Sequence, residues 1–284
     1  MSGEEVGKGM TKQTQAQNAD FPANPREKAG YRLEFCDEFQ GTELDASKWL
    51  PYYLPQWSSR ESTRARYSVR DNLHLHVEED QKPWSREFNG DIRVSNLQTG
   101  CFSGPLGSDR GQHPFRDDLI VREEQPTRKL YTPRYGYLEV RLKAVPFGGY
   151  LSALWLIGFE EEREQSSEIC ICEIFGEHVG STESQINYGV HPFNDPHIED
   201  EFYEDTVPID ASAFHLYAAD WTPEHIDFYI DNQKVKTVHQ SPHYEMQLML
   251  NLYELPGALT PESRNTPFPK TMVVDYVRGY WKER

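Results

Sequence analysis

Between Tyr31 and Trp281 the chain breaks into ten short runs in which apolar and polar residues tend to alternate: YRLEFCDEF, NLHLHVEED, GYLEVRLKAV, LSALWLIGF, EICICEIF, SQINYGVH, HLYAADW, IDFYIDNQKVKTV, EMQLMLNLY and MVVDYVRGYW. A period of two places successive side chains on opposite faces of an extended strand, so that one face meets a core and the other meets solvent. Gly, Pro, Asn and Asp bound the runs, and little helical periodicity competes with them. Ten such strands predict an all-β fold, an antiparallel β-sandwich. Asp231-Asn232 divides IDFYI from QKVKTV and predicts a two-residue hairpin turn, because both residue types tolerate positive φ.

A chain of 284 residues is long enough to bury one full core. Residues 1–29 are polar and aperiodic, and are expected to form a disordered tail ahead of a single domain over 30–284. That tail has no apolar signal core, and no later run approaches the ~20 apolar residues of a membrane span. The expectation is therefore neither secretion signal nor anchor, with a cytoplasmic setting by default and an extracellular one if a signal was removed. The net charge of −17 argues against nucleic acid and anionic membrane as partners, since both need a basic face. A monomer is expected. Four cysteines, at 36, 101, 170 and 172, are too few for a disulfide framework in so long a chain and read as free thiols. Residues 103–129 lack a clear period and read as a long loop, a length more often functional than idle.

The stretch EICICEIF carries the chemistry. In a regular strand Glu168, Cys170 and Cys172 share one face and Glu173 points the other way. One β-bulge between 170 and 173 returns Glu173 to the face of Glu168 and Cys170. Two carboxyl groups ~5 to 5.5 Å apart are what a retaining glycosidase uses, one as nucleophile and the other as acid, then base. Two glutamates on a solvated strand face are the plain structural alternative.

Glu168-Ile169-Cys170-Ile171-Cys172-Glu173 resembles the E-I-D-I-x-E pattern of glycoside hydrolase family 16, the laminarinase and lichenase-like β-glucanases. LEFCDEFQGTELDASKW (33–49), YGYLEVRLKAV, GGYLSALWLIG, HLYAADWTPEHIDFYID, LMLNLY and VVDYVRGY occur in the family's order, so the likeness spans residues 31 to 281. The resemblance implies a curved jelly-roll sandwich with a concave polysaccharide cleft, Glu168 as nucleophile and Glu173 as acid/base. It also implies saccharide contacts from Glu139 and Arg141, two apart and on the concave face, and from Trp155, Asn187, His191, Asn251 and Tyr253. Four of these have a structural alternative: an ion pair across strands for Glu139 and Arg141, a core ring for Trp155, a satisfied histidine for His191. No cofactor is required; Asp275 corresponds to a residue that helps hold a structural calcium in many relatives.

Cys170 stands where the family has an aspartate. A thiol flanked by two carboxylates stays neutral, which argues against a cysteine nucleophile, and it is able to donate a weak S–H bond to Glu168. Cys170 and Cys172 lack the turn of a structural zinc site and are poorly placed for a disulfide along an extended strand. The functional expectation is a retaining endo-acting hydrolase of β-1,3- or mixed-linked glucan-like polysaccharide. The alternatives are a carbohydrate-binding protein with lost catalysis and a transglycosylase.

Overall fold

The computed structural model describes residues 20–283. In chain order the strands are β1 (Tyr31–Asp37), β2 (Arg66–Val69), β3 (Leu73–Val77), β4 (Arg93–Gln98), β5 (Gly100–Cys101), β6 (Arg128–Lys129), β7 (Gly136–Lys143) and β8 (Tyr150–Gly158). They continue with β9 (Glu168–Phe175), β10 (Ser184–His191), β11 (Glu201–Val207), β12 (His215–Trp221), β13 (Ile226–Ile230), β14 (Gln233–Val238), β15 (Met246–Glu254) and β16 (Lys270–Lys282). Two antiparallel sheets pack face to face. The outer sheet runs β14-β13-β12-β7-β16-β3-β2, with β1 paired to β16; the cleft sheet runs β11-β10-β9-β8-β15-β4.

Alternation fixes which side chains fill the space between them. Leu138, Val140 and Leu142 of β7 face Ile169, Ile171, Cys172 and Ile174 of β9 and Leu248, Leu250 and Leu252 of β15 in one buried cluster. Each such aliphatic side chain contributes about 1.5–3 kcal/mol on burial. The cleft sheet is apolar on its other face too, where Leu151, Ala153, Trp155, Cys170 and Met249 pack against Tyr53, Leu54, Trp57, Trp84, Leu119 and Val121 from the loops. That second layer explains why β8 is buried along its whole length. The hairpin at Asp231-Asn232 forms with φ of 48° and 63°, joining β13 to β14 as expected.

Two sequence expectations change here. Residues 20–29 belong to the folded unit: Phe21 N–H bonds Phe214 O at 2.7 Å, and Asn24 bonds Tyr276, Glu139 and Asn232. The rest of the expected tail, residues 1–19, lies outside the described residues. Glu139 and Arg141 do share a face, but it is the outer face of the outer sheet, with the core between them and the cleft. Glu139 accepts from Asn24 Nδ2 at 2.9 Å, and Arg141 ion-pairs Asp275 at 2.7 Å while donating twice to Phe21 O. The cation beside Asp275 is thus a guanidinium from the protein itself. Among the described residues no helix is long and apolar enough to cross a membrane.

Candidate active site

The bulge falls inside EICICE. On the β8 side Trp155 pairs with Cys170 and Leu154 with Cys172, leaving Ile171 as the extra residue. On the β10 side Gly189 pairs with Cys170 and Asn187 with Glu173, so Tyr188 alone faces Ile171 and Cys172. Ile171 and Cys172 both turn to the core, and Glu173 rejoins the face of Glu168 and Cys170. Gly189 is needed opposite: its φ is +147°, and a Cβ there would lie 2.3 Å from Glu201 O.

Glu168 and Glu173 line a cavity of about 460 Å³ walled by Trp155, His191, Phe193, Tyr253, Leu255 and His113. Few polar groups in an apolar, aromatic hollow is the usual makeup of a small-molecule site. Burial, and then the nearby charge of Glu168, push the Glu173 carboxyl up to about 7. Cys170, fully buried between the two, is held as a neutral thiol: burial raises its pKa well above the ordinary thiol value, and both carboxylates add to the effect. Its Sγ lies 3.8 Å from Glu168 Oε2, the weak contact expected of S–H.

The remaining sequence candidates divide. His191 faces the cavity directly across from Glu168, with Nδ1 bonded to Asp200 Oδ1 at 2.6 Å and its ring stacked on Phe202. Tyr253 lines the cavity and donates to Tyr53 Oη at 2.9 Å. Trp155 is on the cleft floor, where its Nε1–H donates to Asn251 Oδ1 at 2.9 Å. Asn251 itself is fully buried outside the cavity lining, a correction to its expected place against saccharide. Asn187, beside Glu173 on the neighbouring strand, is likewise buried and accepts from Gln185.

His113 and Glu160 went unnoticed in the sequence. His113 comes from the 103–129 loop and places Nδ1 3.0 Å from Glu168 Oε1, off the axis of a good hydrogen bond. Its ring packs edge-on to Trp155 and Phe193, and its backbone N–H bonds Glu160 Oε1 at 2.9 Å. Burial drives the Glu160 carboxyl well above the usual carboxylate range, against the pull of that N–H. Both residues have positive φ, 53° and 59°, the kind of backbone strain that collects at functional sites. The length of the 103–129 loop was the sequence signal for His113; Glu160, in the connection between β8 and β9, carried none.

A family model described as Glycosyl hydrolases family 16 matches residues 127–276, just over half of the chain. The chain is 26% identical over 288 residues to glucan endo-1,3-beta-glucosidase A1 of Niallia circulans, an alignment covering 89% of this chain and 38% of that protein. It is 31% identical over 121 residues to a beta-glucanase of Acetivibrio thermocellus, covering 42% of this chain and 34% of the relative. The chain therefore spans well under half the length of these curated relatives. Among solved structures, the GlcNAcα1-4Gal releasing endo-β-galactosidase from Clostridium perfringens superposes with a TM-score of 0.80 at 34% identity, over 93% of this chain and 66% of that one. A laminarinase catalytic domain from Thermotoga petrophila superposes with a TM-score of 0.63 at 17% identity, over 89% and 99%.

Proposed function

Since the chain belongs to glycosyl hydrolase family 16, we propose that it cleaves β-linked polysaccharide internally, with retention of anomeric configuration, through Glu168 and Glu173. The observation that carries this reading is the Ile171 bulge, which sets both carboxyl groups on one face of a hollow lined by aromatic rings. Glu168 attacks the anomeric carbon while Glu173 gives its proton to the departing glycosidic oxygen. A covalent glycosyl-enzyme results. Glu173, now a carboxylate, takes a proton from water as that water displaces Glu168 from the sugar. A carboxyl that titrates near 7 is suited to both halves of this cycle. Cys170 separates the pair without adding a third negative charge, and His113 Nδ1 stands beside the attacking carboxylate.

Two polysaccharide classes come from the relatives. The curated ones are named for β-glucans, which supports a β-1,3- or mixed-linked glucan. The likeness at 34% identity over nearly the whole chain is to an enzyme named for β-galactosides, which supports a galactose-containing glycan as the second reading.

Wild type, Glu168→Gln and Glu173→Gln should be incubated with β-1,3-glucan, mixed-linkage glucan and β-galactans, following new reducing ends and the anomer first formed by NMR. Wild type is expected to release the β-anomer from one class, with each variant slower by about 10⁴-fold or more. Equal binding by all three proteins without cleavage by wild type would leave a carbohydrate-binding protein instead.

A further inference from the structure

Three donor atoms on the cleft floor converge in a way that glycoside hydrolysis does not call for. Glu168 and Cys170 are two apart on β9 and leave the same face, and His191 stands opposite Glu168 on β10. A carboxylate oxygen, the thiol sulfur and an imidazole nitrogen lie within 4.8 Å of one another, with 3.8 Å between Cys170 Sγ and Glu168 Oε2. Tetrahedral bonds of about 2.3 Å to sulfur and about 2.0–2.1 Å to nitrogen or oxygen require donors about 3.3–3.6 Å apart. Side-chain rotation of Glu168 and Cys170 covers the difference.

The surroundings fit the same purpose. Asp200 takes the Nδ1–H of His191, which leaves the Nε2 lone pair free and orients the ring, the usual support for a metal-bound histidine. His113, 8% exposed, sets its Nδ1 3.0 Å from the other Glu168 oxygen, Oε1, without a hydrogen-bond partner among the described residues. We infer that Glu168, Cys170 and His191 form a binding site for a thiophilic divalent cation of the zinc class, and that an occupied site blocks saccharide turnover. On binding, the Cys170 S–H bond breaks, its proton passes to bulk water, and sulfur bonds the metal; no electron changes hands. One carboxylate and one thiolate then balance the cation's two charges. Calcium and magnesium, which ask for six or more oxygen donors, are poorly served by this set. Metal held by Glu168 withdraws the carboxylate that would attack the sugar.

The site is independent of which glycan is cleaved, and its test does not need turnover. The full chain is titrated with Cd²⁺ and Co²⁺ as spectroscopic probes, then with Zn²⁺ as competitor. One equivalent of Cd²⁺ is expected to produce a thiolate-to-metal charge-transfer band, and Co²⁺ the visible bands of a tetrahedral site, both displaced by Zn²⁺. Cys36→Ser should keep the Cd²⁺ band. Cys170→Ser should lose it, and His191→Gln and Asp200→Asn should each weaken binding by about 10-fold or more. With an active substrate, Zn²⁺ should slow cleavage, because the metal-held Glu168 carboxylate no longer attacks. Absence of a stoichiometric band in wild type overturns the inference. So does a band that survives Cys170→Ser, or Zn²⁺ affinity unaltered in the half-exposed His191→Gln variant.

Discussion

Glu173→Gln should stabilise the protein in a pH-dependent way. The Glu173 carboxyl titrates at about 7 in the fold and near 4.5 in the unfolded chain, because burial and the Glu168 charge disfavour its ionised form. A group whose folded pKa is raised lends stability that is fully present below the unfolded value and is lost as pH rises through the folded one. The window is therefore pH 4.5 to 7. At about 1.36 kcal/mol per pKa unit, ionised Glu173 costs the native state about 3 kcal/mol at pH 8, and water entering the cleft reduces this to about 1–3 kcal/mol. Glutamine has nearly the same shape and no charge to bury. Urea unfolding of wild type and Glu173→Gln at pH 4, 6 and 8 measures the effect. The variant is expected to match wild type at pH 4 and to gain steadily above it. A stability difference that does not change with pH would refute the idea that Glu173 is held protonated by its surroundings, and with it the acid role. The same titration predicts that wild-type kcat/KM declines as pH rises through about 7.

His113→Ala removes a ring that packs on Trp155 and Phe193 and stands 3.0 Å from Glu168, and should lower kcat/KM by about 100-fold, the scale for a misplaced reacting group, with steady-state kinetics as the check. Trp155→Ala opens a hole in the cleft floor and strands the Asn251 amide, for an expected loss of about 3–5 kcal/mol in denaturant unfolding. Arg141→Met leaves Asp275 and Phe21 O without their shared donor and should cost about 2–3 kcal/mol by the same measurement. Because Arg141 already neutralises Asp275, a calcium chelator should leave Tm unchanged; a clear fall in Tm on chelation would contradict that assignment.

The alternation that marked ten runs is a one-dimensional signal, and the fold departs from it where a strand's faces do not differ in polarity. β4, RVSNLQ, shows no alternation because both its faces carry buried polar groups: Asn96, bonding Tyr52 O, and Gln98 lie on the loop-layer side, and Ser95, accepting from Arg66 N, on the core side. β11, EFYEDTV, is a charged edge strand of the cleft sheet, and β2, at an edge of the outer sheet, is four residues long. The bulge was legible because glutamates five apart on a regular strand point to opposite faces, and the E-I-D-I-x-E resemblance favoured a bulged strand over a solvated pair. Alternation also put Glu139 and Arg141 together, but period two says nothing about which of two sheets a strand joins or which way its polar face looks. His113 and Phe193 reach the cavity from loops, and Tyr53 reaches its wall residue Tyr253 from another, so their position depends on chain reversals that leave no period in the sequence.

The segment from Phe21 to Pro25 is attached to the outer sheet largely through its main chain. Arg141 holds the carbonyl of Phe21, Arg278 holds those of Asn24 and Pro25, and the Phe21 amide bonds Phe214 O. Carbonyl oxygens are the same for every residue type, so the two guanidiniums grip this strap without reading its sequence. Its spacing is what they measure. Most substitutions there should pass unnoticed, Asn24 excepted because its amide bonds Glu139, whereas inserting or deleting one residue between positions 21 and 24 would put one clamp out of reach of its carbonyl.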